Sequence, residues 1–168
     1  MEQGQNDIKA KNLKVVFVCT GNTCRSCMAE GIFMAVVSQE EYSENFKAIS
    51  RGIYAFDGDP ASEHSVSALK TLWDIDISVH KAKMLSRGDV QEADLLLTMT
   101  RAHRDTLKAK YPDKKSVIFT LKEYVYPEIS LNSSELDISD PFGMSYEKYE
   151  SCAKEIFECV KIAFDKLR

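Results

Sequence analysis

Short apolar runs alternate with longer stretches of helical periodicity along this chain. The first run, Lys14-Val15-Val16-Phe17-Val18, is β-branched and aromatic and predicts a strand. Similar runs predict strands at Lys14–Val18, Phe46–Ser50, Asp94–Met99 and Ser116–Phe119. Between and after them, periodicity predicts helices over Arg25–Glu40, Ser62–Trp73, Arg101–Tyr111 and Ser145–Leu167, with a short helical turn around Ser86–Gln91. The last helix carries Ile156, Val160, Ala163 and Leu167 at the spacing of one buried stripe. Cys152 and Cys159 belong near that stripe as small hydrophobes. Strands alternating with helices argue for parallel βαβ units and an α/β, doubly wound sheet. The longest irregular stretch is Val125–Asp140, and such loops in compact domains are often functional.

A chain of 168 residues suits one domain with a sizeable core. The expected division is a flexible, polar N-terminal extension over residues 1–13 and one domain over residues 14–168. The formal charge of −4 supplies no basic field for nucleic acid. No apolar run approaches membrane-spanning length, and the start lacks an apolar signal core, so no membrane partner is expected. Five cysteines, one of them needed as a thiolate, point to a reducing cytoplasm. Cys24-x2-Cys27 resembles half of a metal site, but no second pair has zinc spacing. No metal and no cofactor are expected.

The chemistry concentrates at Cys19-Thr20-Gly21-Asn22-Thr23-Cys24-Arg25-Ser26, placed where the first strand turns into the first helix. Cysteine, five residues and arginine is a spacing that wraps backbone around a tetrahedral anion. Loop amides form a nest, and the helix N-terminus adds partial positive charge. That field favours Cys19 as a thiolate, and Arg25 offers a planar fork for two phosphoryl oxygens. Gly21 is expected to give the turn freedom at positive φ, with Asn22 tolerating the same region. Cysteine is often simply buried, and the short pattern gains weight from its position in the strand-to-helix turn. A phosphoryl transfer through cysteine also needs an acid for the leaving group and then a base for water. Asp140-Pro141-Phe142-Gly143 supplies a candidate carboxyl on a loop, with Asp137 as its competitor.

These residues, with Met28-Ala29-Glu30, Ser50-Arg51-Gly52, Ser78-Val79-His80-Lys81, Ala93–Thr100 and the late Asp140-Pro141, resemble the low-molecular-weight protein tyrosine phosphatase family. The resemblance covers nearly everything after Lys14. It implies a four-stranded parallel sheet flanked by helices in a flavodoxin-like architecture, a cysteinyl-phosphate intermediate and no metal. By the same resemblance Cys19 is the nucleophile, Arg25 the phosphate clamp, and Asp140 the general acid and then base. Thr20, Gly21, Asn22, Thr23, Cys24 and Ser26 line the phosphate loop, Ser26 donates to the sulfur, and Phe142 meets the substrate. Ser50 and His80 are expected to hold Asn22 by hydrogen bonds. Cys24 is placed to form a reversible disulfide with oxidised Cys19, as relatives do. His64 and His103 have no such support and are expected on helix surfaces.

Within that family, Thr23, the run Phe119–Val125 and Asp140-Pro141-Phe142-Gly143 are similar to bacterial protein arginine phosphatases. The expectation is hydrolysis of phosphoarginine in phosphorylated proteins by a monomer. Thr23 puts a hydroxyl where a phenol ring would prefer an apolar wall, and an alkylguanidine leaving group needs protonation more than a phenol does. Cys27 at a position usually held by proline, the aromatic Phe56, and a longer Val125–Asp140 segment depart from that pattern. The alternative is a tyrosine phosphatase of the same fold. An arsenate reductase would need a relay of resolving cysteines, absent between Cys27 and Cys152, and a phosphocarrier would not need Asp140.

Overall fold

The computed structural model describes residues 12–168. Strand β1 starts at Leu13, inside the extension expected over residues 1–13; residues 1–11 of that extension lie outside the described residues. The elements follow in order as β1 (Leu13–Cys19), α1 (Arg25–Val37), β2 (Phe46–Gly52), α2 (Glu63–Trp73), α3 (Arg87–Glu92), β3 (Leu95–Thr98), α4 (Arg101–Lys110), β4 (Ile118–Thr120), α5 (Leu121–Val125) and α6 (Tyr146–Leu167). Among the described residues the four strands form one parallel sheet in the order β2-β1-β3-β4.

Strand alternation explains the two-sided core. Val15, Phe17 and Cys19 point to one face, toward the buried sides of α1, α2, α5 and α6. Val16 and Val18 point to the other, against Val90 of α3 and Leu107 of α4. A sheet buried on both faces reads as a continuous apolar run, as β1 does. Phe164 of α6 joins the first face through edge-to-face contacts with Phe33 of α1 and Phe46 of β2, at centroid distances of 5.9 and 5.1 Å. The expected stripe on α6 is present, with Ile156, Val160 and Ala163 fully buried and Cys152 and Cys159 beside them. Burial pushes the Cys152 and Cys159 thiols up to about 12 and about 11, as befits small core hydrophobes.

Where the boundaries differ, local hydrogen bonding explains it. Helix α1 ends at Val37, not at Glu40, because Gln39 and Glu40 donate to carbonyls three residues back and tighten the chain into a turn. Residues 116–117, expected in a strand, close a 3-10 turn over Pro112–Val117, so β4 runs Ile118–Thr120. Helix α5 was not expected. Its start is a capping box in which Thr120 accepts from the Glu123 amide and Glu123 accepts from the Thr120 amide.

The active edge follows from topology. Strand β1 pairs with β2 on one side and β3 on the other, so the chain reverses direction across the sheet next to β1. The crevice beyond the carboxyl ends of the strands at such a point is where α/β sheets take ligands, and Cys19 ends β1 there. Because Phe164 is 2% exposed and wedged between two aromatic rings, Phe164→Ala is expected to lower unfolding free energy by about 3–5 kcal/mol. Urea unfolding, with an unchanged slope, checks this value.

Candidate active site

The loop between β1 and α1 is built around Asn22. This fully buried residue adopts the left-handed region, with φ 59°. Its own groups hold it there. Oδ1 accepts from the Lys83 amide at 3.0 Å, Nδ2 donates to Ser26 Oγ at 2.8 Å, and its carbonyl accepts from His80 Nε2 at 2.7 Å. The positive φ falls on Asn22 and not on Gly21, contrary to the expectation for the glycine. Ser50 also departs from expectation. Its hydroxyl donates to Glu30, whose Oε2 lies 4.0 Å from His80 Nδ1, so Ser50 reaches Asn22 only through Glu30 and His80.

Gly52 is an element of the site that the sequence pattern alone does not expose. A Cβ there would lie 2.6 Å from the Thr20 carbonyl oxygen and 3.1 Å from the Asn22 amide nitrogen. The end of β2 therefore packs directly on the loop backbone, and only glycine permits it.

Cys19 is 3% exposed, with Sγ 2.9 Å from Ser26 Oγ. Ser26 accepts from Asn22, and its own proton has two acceptors in reach, the Cys19 sulfur at 2.9 Å and the Arg51 carbonyl at 3.4 Å, of which the sulfur is the nearer. Helix α1 begins at Arg25 with no side-chain cap and no acidic residue in its first turn. Its N-terminal amides are thus left for an anion. The Arg25 side chain is 5% exposed and aimed by two contacts. Nη1 donates to the Ile138 carbonyl at 2.8 Å, and Nη2 lies 3.4 Å from Asp140 Oδ2. Nε is buried and has no partner, a donor suited to a phosphoryl oxygen.

The irregular stretch before α6 is tied down where it supports this arginine. Asp137 accepts from the Arg101 backbone amide at 2.8 Å and pairs with its guanidinium at 2.9 Å. Burial alone would raise the Asp137 carboxyl, but those hydrogen bonds and the charges of Arg101 and Arg104 hold it below the ordinary range. Asp137 is therefore a tether. The next residue in the same stitch, Ile138, bonds through its amide to the Met99 carbonyl and presents its own carbonyl to Arg25. Asp140, by contrast, lines the cavity above Cys19.

That cavity holds about 380 Å³ and is lined by Cys19, Thr20, Gly21, Thr23, Cys24 and Arg25 at its base. Tyr54, Phe56, Asp59, Asp140 and Phe142 complete it. Cys24 Sγ lies 3.5 Å from Tyr149 Oη and 3.6 Å from Ser62 Oγ. Burial, then the Cys24 hydrogen bond, pushes the Tyr149 hydroxyl up to about 12. All five cysteines are free thiols. Cys27 is wholly buried, donates to the Cys24 carbonyl at 3.1 Å, and has its thiol raised chiefly by burial, which makes it a packing residue. No helix among the described residues is long and apolar enough to cross a membrane.

His103 was expected on a helix surface and is instead half-buried against the phosphate loop. Its Nε2 lies 2.9 Å from Thr20 Oγ1, and Nδ1 lies 3.0 Å from Thr100 Oγ1. Thr100 is the N-cap of α4 and already accepts from the His103 amide, so its proton can go to Nδ1 and leave Nε2 as the donor to Thr20. His64 does stay exposed, edge-on to Tyr146 and Tyr149. The N-cap Thr100 three residues before His103 was the available signal, since it turns His103 back toward the sheet edge.

Burial, then the Arg25 charge, lowers His103 to about 4 against an ordinary 6.5, with Asp140 and Asp137 opposing. The unfolded chain then takes up a proton between pH 6.5 and 4 that the folded chain refuses. This contribution to stability is complete above pH 6.5 and is lost as pH falls toward 4. His103→Gln is expected to flatten the decline of stability across that window, measured by urea unfolding at stepped pH. An unchanged slope would refute the assignment.

The sequence profile of the low molecular weight phosphotyrosine protein phosphatase family matches residues 14–168. The chain is 34% identical over 150 residues to the protein-arginine-phosphatase of Bacillus subtilis, covering 89% of this chain and 93% of that protein. It is 35% identical over 153 residues to the low molecular weight protein-tyrosine-phosphatase PtpB of Staphylococcus epidermidis, covering 90% and 98%. Among solved structures it superposes on a low molecular weight protein tyrosine phosphatase from T. tengcongensis with TM-score 0.83 and 41% identity, over 92% of this chain and 99% of that one. The arginine phosphatase YwlE from Geobacillus stearothermophilus gives TM-score 0.81 and 32% identity, over 92% of each chain. With one profile matching residues 14–168, the chain belongs to the low molecular weight phosphotyrosine protein phosphatase family.

Proposed function

We propose that this protein hydrolyses phosphoarginine in phosphorylated proteins through a phosphocysteine at Cys19. One observation carries the reading of the site. A buried sulfur, an uncapped helix N-terminus, an arginine with an unpartnered buried Nε and the Asp140 carboxylate converge on one cavity. Anion, nucleophile and proton donor can therefore meet without rearrangement of the backbone.

In the first step the Cys19 thiolate attacks phosphorus while the loop amides and Arg25 take the equatorial oxygens. The P–N bond breaks, and Asp140 gives its proton to the departing guanidine nitrogen. Asp140, now ionised, takes a proton from water as that water attacks phosphorus and expels the thiolate. Inorganic phosphate leaves and Cys19 is restored. Ser26, through its proton toward Sγ, stabilises the sulfur both as attacker and as leaving group. Asn22, His80 and Glu30 act as positioning residues for the loop, with Ser50 behind them.

Thr23 in the cavity wall supports arginine over tyrosine, because its hydroxyl can partner a guanidinium nitrogen. The exposed rings of Tyr54 and Phe56 favour a second reading, a phosphotyrosine phosphatase, since they offer a phenol ring flat apolar walls. Relatives bearing both names stand at 34% and 35% identity. We also keep Cys24 as the resolving thiol. Peroxide would convert Cys19 to a sulfenic acid, and Cys24 would displace water from it to close a disulfide. Five free thiols suit a reducing cytoplasm, and a monomer suffices for this chemistry.

Turnover of phosphoarginyl and phosphotyrosyl peptides is the deciding measurement. The phosphoarginyl peptide is expected to be strongly preferred, and Thr23→Ile is expected to cut that preference by about 10–100-fold. A preference that survives the substitution would remove Thr23 as its determinant, and wild-type protein that prefers the phosphotyrosyl peptide would return the protein to the tyrosine reading. Asp140→Ala is expected to slow phosphate release by about 10²–10⁴-fold, followed by rapid quench. Phosphate release that does not change would mean that Asp140 is not the acid and base.

A further inference from the structure

The cavity is electrically divided. Its base gathers the helix N-terminus and the Arg25 guanidinium, whereas its rim holds two carboxylates and three exposed aromatic rings. Tyr54, Phe56 and Phe142 are 71%, 78% and 72% exposed, an unusual cost unless those faces meet a ligand. The two carboxylates are not equivalent. Asp140 Oδ2 sits 3.4 Å from Arg25 Nη2, but among the described residues Asp59 bonds through its backbone and not through its carboxylate.

Asp59 is nevertheless held in place by its backbone. Its amide donates to the Phe56 carbonyl at 3.2 Å, its carbonyl accepts from the Ala82 amide at 2.7 Å, and Pro60 follows and bridges to Lys81. Proline restricts the preceding residue to extended geometry, which narrows where the Asp59 side chain can point. A carboxylate on a pinned backbone, in the substrate cavity and with no partner of its own, is suited to a cation that arrives with the substrate.

We propose that Asp59 is a specificity-determining residue that accepts hydrogen bonds from the guanidinium of phosphoarginine while the phosphoryl group occupies the Cys19 loop. The inference rests on the phosphoarginine reading and adds a residue to it. Phosphoarginine is anionic at the phosphoryl end and offers N–H donors beyond it, so it matches a cavity with a cationic base and an acidic, aromatic rim. A planar guanidinium can bond a carboxylate with two parallel N–H groups and stack its face on Tyr54 or Phe56. Phosphotyrosine has no donor on its ring, and its dianion gains nothing from Asp59. Asp59 thus discriminates by attracting one substrate and giving nothing to the other.

The test compares kcat/KM on phosphoarginyl and phosphotyrosyl peptides of identical flanking sequence, for wild type, Asp59→Asn and Asp59→Ala. Thermal unfolding of each variant verifies that it is folded. The ratio of phosphoarginine to phosphotyrosine turnover is expected to fall about tenfold in both variants, the size of one charge-assisted hydrogen bond, with the loss mainly in KM. Raising the salt concentration should narrow the gap between wild type and variants. A ratio within about twofold of wild type, or one that rises, overturns the assignment of Asp59 while the phosphoarginine reading stands. Wild-type protein that leaves the phosphoarginyl peptide intact overturns both.

Discussion

The site depends on a left-handed backbone at Asn22. A non-glycine residue at φ 59° costs on the order of 1 kcal/mol or more, and it persists only where surrounding contacts over-determine it. Here three hydrogen bonds from two segments do so: one from the Lys83 amide and one from the His80 ring, both in the loop between α2 and α3, and one to Ser26 in α1. The strain turns the loop so that Cys19 and Arg25 face one cavity. Asparagine suits the position because its short amide reaches both a donor and an acceptor while its backbone tolerates the left-handed region.

A second set of contacts fixes the cationic side of that cavity. Arg25 cannot be oriented by its own helix, because its fork reaches past the first turn. The Ile138 carbonyl orients it, and Ile138 is in turn stitched to the end of β3 through Met99. Arg101 and Arg104 hold the preceding loop by Asp137, Asn132 and Leu131. The long segment before α6 thus braces Arg25 through Ile138 and carries Asp140 two residues further on. Two aspartates of the same loop are separated this way: Asp137 is consumed as a tether, and Asp140 remains in the cavity.

His103 shows how a residue with no motif reaches a site. Helix α4 follows β3, the strand beside β1, so its first turn lies at the same sheet edge as the phosphate loop. Thr100 caps that turn and supplies the proton that leaves His103 Nε2 to donate to Thr20. Gly52 reaches the site by a comparable route, through the register that sets it opposite Cys19 on β2. Neither proximity is encoded within ten residues of the loop.

The sequence by itself determined the class of fold, the helices and strands that build it, and the turn where sulfur, amides and guanidinium meet. Those features are local, written in the periodicity of apolar residues and in the spacing from Cys19 to Arg25. Only the tertiary structure decided that Asn22 and not Gly21 takes the positive φ, that Ser50 acts through Glu30, that Asp137 is spent on Arg101, that His103 packs on Thr20 and that Asp59 lines the cavity. The physical reason is that each of those outcomes is a competition for partners between groups distant in the chain, and such competitions are settled only when the sheet brings them to one edge.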